Sequence, residues 1–450
     1  MARSASIFVC SSCGHQSPKW HGRCPGCDEW NTMAEEARAA PQAGRSRPAG
    51  RALRPVPLSE VQAAAVPRMS TGIGELDRVL GGGVVPGSLV LLGGSPGIGK
   101  STLTAAALGN LAASGHKVLY VSGEESATQV RLRAERLGAA ALQVPIVAET
   151  DLDAVIATIE AEQPEACVID SVQVLYDPAL SGSPGSVGQV REVAGRLQRV
   201  AKRQGTAMVL VGHVTKEGSL AGPRVLEHLV DCVLSFEGER ERTYRTLRAL
   251  KNRFGSTSEA GVFEMREQGL VEVQDASARF VSEATQASGS VVLCAMEGSR
   301  PLLVEVQALV APTEVVPPRR VANGVDRNRL ALVLAVLARH GGVFFGSSDV
   351  FVSVAGGVRI NEPGADLAIA LALASAAKGI ELASGGRPLA AFGELGLTGE
   401  LREAAHPDRR LAEARKFGLV GVVHPGSGVS TLRDALKAAK RGSTAEAAAA

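Results

Sequence analysis

Aromatic side chains are scarce in this chain, at 3% of 450 residues, so Leu, Val, Ile and Ala must fill most of any core. A charge excess of either sign is also missing. Lys and Arg total 48 against 46 Asp and Glu, a net charge of +2. Bulk attraction to nucleic acid is thereby excluded, and any DNA-binding surface must be local. Long apolar runs are absent. The longest helix-like apolar stretch, Ala365 to Ala377, carries Asp366 and is shorter than the roughly 20 residues a bilayer requires. The apolar patch Ile7-Phe8-Val9 is too short for a secretory leader. A disulfide framework is absent too. The seven cysteines are odd in number, four of them crowd the first 27 residues, and Cys167, Cys232 and Cys294 are scattered in apolar surroundings. These absences predict a cytoplasmic protein with no membrane segment.

What is present is an ordinary globular balance, 45% hydrophobic and 21% charged, with length for two to four domains. Residues 1–33 read as a Cys-rich module, and residues 34–66 as a flexible basic linker carrying Arg38, Arg45, Arg47, Arg51 and Arg54. In residues 67–276 apolar strands alternate with amphipathic helices, from Ser88–Leu92 and Lys100–Ser114 to Ala207–Val211. That alternation predicts an α/β fold with a parallel sheet covered on both faces. A second globular block spans 281–442, and an Ala-rich tail at 443–450 reads as disordered.

Two Cys-x-x-Cys pairs, Cys10/Cys13 and Cys24/Cys27, stand ten residues apart. Each can form a knuckle presenting two thiolates, and together they predict a closed, structural Zn²⁺ site. A module this small needs the metal to fold. His15 and His21 are close enough to be alternative ligands.

Gly94-Ser95-Pro96-Gly97-Ile98-Gly99-Lys100-Ser101 fits the P-loop pattern and lies between an apolar strand and a helix. The glycines let backbone N–H groups surround phosphates of ATP, Lys100 reaches the β- and γ-phosphates, Ser101 ligates Mg²⁺, and Thr102 touches the α-phosphate. Asp170 ends the apolar strand Ala166–Ile169 and is predicted to hold Mg²⁺. Glu124, in Ser122-Gly123-Glu124-Glu125-Ser126, is predicted to orient and deprotonate the attacking water, with Glu125 as substitute. The ground for that choice is a strand end beside the P-loop strand.

These segments, with Ile169–Gln173, Gly212-His213-Val214-Thr215-Lys216-Glu217-Gly218 and Lys251-Asn252-Arg253-Phe254-Gly255, resemble the bacterial RadA (Sms) DNA repair proteins over nearly the whole chain. The resemblance implies a RecA-like P-loop ATPase core working as a homo-hexameric ring on single-stranded DNA. It implies branch migration of recombination intermediates together with the RecA recombinase. Lys251 and Arg253 resemble the Lys-x-Arg pair of replicative ring helicases, which reaches into a neighbour's ATP site as an arginine finger. His213 and Lys216 would couple nucleotide state to DNA contact. The C-terminal block resembles the proteolytic domain of Lon. Gly364 stands where Lon has its nucleophilic Ser, and Asp408 where it has its Lys, with a shift of one or two residues bringing in Arg409 or Arg410. Without the dyad no activated nucleophile exists, so the block is expected to be a catalytically inactive Lon-protease-like scaffold. Arg300, Arg319, Arg320, Arg327 and Lys378 are its candidate phosphate contacts.

Three readings follow. The first is a DNA-translocating ATPase, the second an ATP-dependent Lon-type protease, and the third a KaiC-like signalling ATPase. The missing Ser opposes the second. The Cys module and the Lon-like block oppose the third.

Overall fold

The structure is a computed structural model describing residues 6–10, 15–26, 28–37, 57, 67–180, 182–214, 220–221, 225–238, 244–267 and 269–447. Cys13, Cys27, Lys216 and most of the predicted linker lie outside the described residues. The chain divides into two compact units. The first takes residues Met1–Glu237, Leu247–Thr257 and Arg266–Leu270, and the second Gly238–Thr246, Ser258–Met265 and Val271–Ala450. Residues 271–276, grouped with the ATPase block on sequence, therefore belong to the second unit.

The first unit begins with three short antiparallel strands, β1 (Ser6–Cys10), β2 (Gln16–Ser17) and β3 (Met33–Ala37), in the order β2-β1-β3. Next comes α1 (Gly74–Leu80), followed by a βα series. Its elements are β4 (Leu89–Gly94), α2 (Lys100–Ala113), β5 (Val118–Ser122), α3 (Ala127–Leu137), α4 (Ala139–Leu142), β6 (Ile146–Ala148), α5 (Leu152–Glu162), β7 (Ala166–Asp170), α6 (Val187–Gln204) and β8 (Ala207–Val214). Then follow β9 (Leu220–Ala221), α7 (Val225–Leu229) and β10 (Cys232–Glu237). The core strands run in parallel in the order β10-β4-β8-β7-β5-β6. Alternation within each strand serves two faces. Leu89, Leu91, Leu119, Val121, Cys167, Ile169, Met208 and Leu210 join α5 and α6 in one core. Val90, Leu92, Val168 and Val209 turn instead toward Leu103, Ala107 and Leu111 of α2. The buried positions of α6, Val190, Val193, Ala194, Leu197, Val200 and Ala201, follow the helical period, and the left-handed Gly205 ends it.

The chain then passes through β11 (Tyr244–Asn252), β12 (Ala260–Arg266) and β13 (Gly269–Glu272), whose residues the two units divide. The second unit continues with α8 (Ala276–Glu283), β14 (Ser290–Glu297), β15 (Arg300–Pro312), β16 (Arg320–Asn323), α9 (Arg327–Val336) and β17 (Ser348–Val354). Helices α10 (Asp366–Lys378), α11 (Pro407–Lys416) and α12 (Leu432–Ala447) complete it. Its mixed sheet runs β16-β17-β15-β14 and ends on Ala390–Ala391. Helix α10 is buried all round from Asp366 to Ser375, as expected of a helix without a polar face. Residues 443–447 of the expected tail are helical instead, because α12 runs on through Ala447. Alanine is the strongest helix former.

Candidate functional site

The carboxyl ends of the parallel strands meet along one edge of the sheet, and that edge is the candidate nucleotide site. Strand β4 ends at Gly94, where a side chain would lie 2.7 Å from the Phe236 carbonyl of β10, so only glycine fits. The loop then turns through Gly97 (φ 74°) and Gly99 (φ 113°), both in the left-handed region that glycine tolerates. Ile98 is buried and anchors the loop, while Ser95, Pro96 and Gly97 are exposed. Ser101 and Thr102 are half-buried in the first turn of α2. Lys100 is only 4% exposed, and its Nζ donates to the Gly94 and Ser95 carbonyls at 2.7 and 3.0 Å. Burial pulls its pKa below the usual lysine range, while the charges of Asp170 and Glu124 oppose that shift. The loop therefore offers a glycine-rich turn, a helix start and a buried cation in the field of two carboxylates, a set that fits a magnesium nucleotide.

Asp170, at the end of β7, is buried and accepts a 2.5 Å hydrogen bond from Tyr120 Oη. Burial and the Asp170 charge push the Tyr120 phenol above its ordinary range, so it remains a donor. Arg133 Nη2 donates to the same phenol at 3.2 Å, and Arg133 Nη1 pairs with Glu125 at 2.6 Å. Ser171 is fully buried, and its Oγ donates to Glu124 Oε1 at 2.5 Å. Glu125 is thus committed to Arg133, while Glu124 sits in the field of Lys100.

The reason first given for Glu124 does not hold. Strand β5 is not beside the P-loop strand, because β8 and β7 lie between them. Glu124 arrives by another route. Ser122 pairs with Asp170 in the β5–β7 register, and the Gly123 N–H donates to the Asp170 carbonyl, so the loop after β5 emerges alongside Ser171. Gly123 permits this approach, since a side chain there would lie 2.3 Å from Val174. Sequence reasoning missed Tyr120, Ser171 and Arg133. A tyrosine within a buried apolar strand was the available signal, because its hydroxyl needs a partner.

Lys251 and Arg253 lie at the other end of these strands. Lys251 Nζ donates to the Glu227 and Val230 carbonyls at 2.7 and 2.8 Å. Arg253 Nη1 pairs with Asp231 Oδ1 at 3.0 Å, and Asp231 Oδ2 accepts the Leu89 N–H at 3.2 Å. Leu89 opens β4 and Gly94 closes it. The length of β4, roughly 16 Å at the usual rise, therefore separates the Lys-x-Arg pair from the P-loop of the same chain. The Arg253 side chain is 53% exposed. His213 faces Gly94 across the β4–β8 register, at the nucleotide edge.

In the N-terminal module Cys10 and Cys24 are fully buried and share one cluster with Met33 and Phe8. The Cys24 Sγ accepts the Gly26 N–H at 3.3 Å, the turn geometry of a metal knuckle. His21 Nε2 instead lies 3.0 Å from Ser17 Oγ.

Residues 8–35 match the family described as a rubredoxin metal binding domain, and residues 55–219 the AAA domain family. The DNA repair protein RadA of Bacillus subtilis is 48% identical over 431 residues, covering 94% of this chain and 93% of that protein. Its namesake in Brucella abortus is 49% identical over 430 residues, covering 93% and 91%. The chain belongs to the RadA family of DNA repair proteins. A KaiC-like protein of Pyrococcus horikoshii, 23% identical, covers 46% of this chain and 99% of its own length, with a TM-score of 0.39.

The C-terminal unit of this RadA family member revises one expected position. Gly364 is buried, and a side chain there would meet Ala404 Cβ at 2.9 Å, Glu362 Oε2 at 3.2 Å and Arg410 Nη1 at 3.3 Å. The residue facing Gly364 is therefore Arg410, two positions beyond Asp408, which is exposed. Arg410 is fully buried, paired with Glu362 at 2.5 Å, bonded to the Cys294 carbonyl at 2.6 Å and set over the Phe392 ring. Among the basic candidates, Arg320 is tied to the Ser348 and Phe345 carbonyls and Arg300 to that of Gln274, while Arg319, Arg327 and Lys378 are exposed. Among the described residues no helix is long and apolar enough to cross a membrane.

Proposed function

We propose that the chain is a cytoplasmic, DNA-dependent ATPase motor of DNA repair and homologous recombination. It translocates on single-stranded DNA as a homo-hexameric ring and promotes branch migration of recombination intermediates with the RecA recombinase. The observation that carries this reading is the placement of Lys251 and Arg253 at the sheet edge opposite their own P-loop. A cation pair there serves a neighbour's nucleotide or none, and serving a neighbour is how ring motors couple subunits.

The amides of Gly94–Ser101 and Lys100 bind and orient the ATP phosphates. Asp170 and Ser101 are the residues that would hold Mg²⁺, which when bound draws charge from the β- and γ-oxygens. Glu124, fixed by Ser171, orients the attacking water and takes its proton. Arg253 of the adjacent subunit meets the charge developing on the γ-phosphate, with Lys251 in support. Cys10, Cys13, Cys24 and Cys27 are the residues that would hold Zn²⁺, which would serve the module's fold and no reaction. Gly364 has no side chain to act as a peptidase nucleophile, and Arg410 and Glu362 occupy the space beside it.

The test is ATP turnover with and without single-stranded DNA, alongside branch migration of a synthetic junction. Turnover that ignores DNA would favour a signalling ATPase. Casein degradation that is lost on altering the C-terminal unit would restore the protease reading.

A further inference from the structure

Trp20 and Trp30 are the chain's two tryptophans, and both are exposed, at 55% and 70%. The module's buried cluster uses Cys10, Cys24, Met33 and Phe8, so neither indole serves its core. A side-chain carbon built on Gly22 would touch Trp20 Cη2 at 3.5 Å and Trp30 Cζ3 at 3.7 Å, so both six-membered rings converge over one glycine. The Arg23–Trp30 bridge and the bond from the Asn31 N–H to the Gly22 carbonyl hold that convergence in the backbone. Exposed Lys19 and Arg23 flank the rings, Arg23 being 3.5 Å from Asp28. The sequence that follows, 38–66, carries Arg38, Arg45, Arg47, Arg51 and Arg54 against a single acid, Glu60.

We infer that Trp20 and Trp30 form a base-stacking platform for single-stranded nucleic acid, with Lys19 and Arg23 beside the rings. Large indole faces gain by stacking on any unpaired base, and cations alongside them track the phosphates. A duplex keeps its bases stacked inside and offers no such face. The inference rests on the proposed function in taking DNA as the ligand.

Because both tryptophans lie in this module, the intrinsic tryptophan fluorescence of the full chain reports on it alone. Oligothymidylate should quench that fluorescence saturably, and a duplex of equal length should not. Trp20→Ala and Trp30→Ala should each weaken oligothymidylate binding roughly tenfold or more, leaving zinc content and nucleotide binding unchanged. Trp20→Phe and Trp30→Phe should retain most of the affinity, and they decide the matter where an alanine variant loses zinc. Absent quenching, with DNA-stimulated ATP turnover intact, overturns the platform and leaves the motor standing. Quenching by a partner protein but not by oligothymidylate overturns it as well. If DNA changes neither fluorescence nor turnover, the proposed function falls with it.

Discussion

Mixing two inactive variants tests the composite nucleotide site directly. Arg253→Ala removes the finger but leaves the P-loop of the same chain untouched, since the length of β4, roughly 16 Å, lies between them. Lys100→Ala does the reverse. Each variant alone should lose about 10³-fold or more in ATP turnover, a barrier increase of roughly 4 kcal/mol. Arg253→Ala should still bind nucleotide. In an equal mixture that assembles at random, about a quarter of adjacent pairs join an intact P-loop to an intact finger. Turnover should then recover to around a quarter of the wild-type rate, some hundreds-fold above either variant. The assay is steady-state ATP hydrolysis on mixtures that sizing shows to be co-assembled. Failure to recover in such mixtures would refute the trans arrangement and leave Arg253 as the structural partner of Asp231.

Glu362→Ala strands the fully buried guanidinium of Arg410. It should cost the second unit about 3–5 kcal/mol, lowering its melting temperature by roughly 6–20 °C in calorimetry, whereas Asp408→Ala at the exposed position should be near neutral. Metal analysis should find one zinc per chain. Replacing Cys13 or Cys27 should release it, although neither belongs to the described cluster. Lys100 has a lowered pKa, so between its folded value and the ordinary lysine range the unfolded chain holds a proton that the native chain has released. Stability contributed by this group rises with pH across that window. Nucleotide binding restores the charge. Calorimetry of a non-hydrolysable ATP analogue at alkaline pH, in two buffers of different ionisation heat, should therefore show proton uptake that disappears in Lys100→Ala.

The parts legible in the sequence are those whose geometry lies within a few consecutive residues. The P-loop was readable because its spacing alone sets where the backbone turns, and helix α6 because its apolar period is unbroken over eighteen residues. Glu124 lies in the field of Lys100 while Glu125 pairs with Arg133, but the strand adjacency that pointed to Glu124 in the sequence is not there. Strand order is a long-range property, and nothing local announces that β8 and β7 intervene between β4 and β5. The pairing of Tyr120 with Asp170 spans 50 positions and that of Ser171 with Glu124 spans 47, so neither leaves a periodic trace. Arg410 was within reach as a shifted register, but which of three neighbouring residues faces Gly364 depends on how α11 rotates as it packs. No count of positions supplies that rotation.

The sheet's two edges have a further consequence for assembly. On the proposed trans arrangement, a subunit whose acceptor site and donor cation lie at opposite ends of the same strands has a head and a tail. By symmetry a twofold pair that completes one of these junctions completes the other as well, and it then has no free end from which to grow. Translation or rotation in a single sense completes them in series. An open row of such subunits always leaves one nucleotide at its head and one finger at its tail unserved, whatever its length. Closure into a ring removes both vacancies at once. Turnover per subunit should therefore rise stepwise on closure, and a ring cut at one interface should lose a whole site.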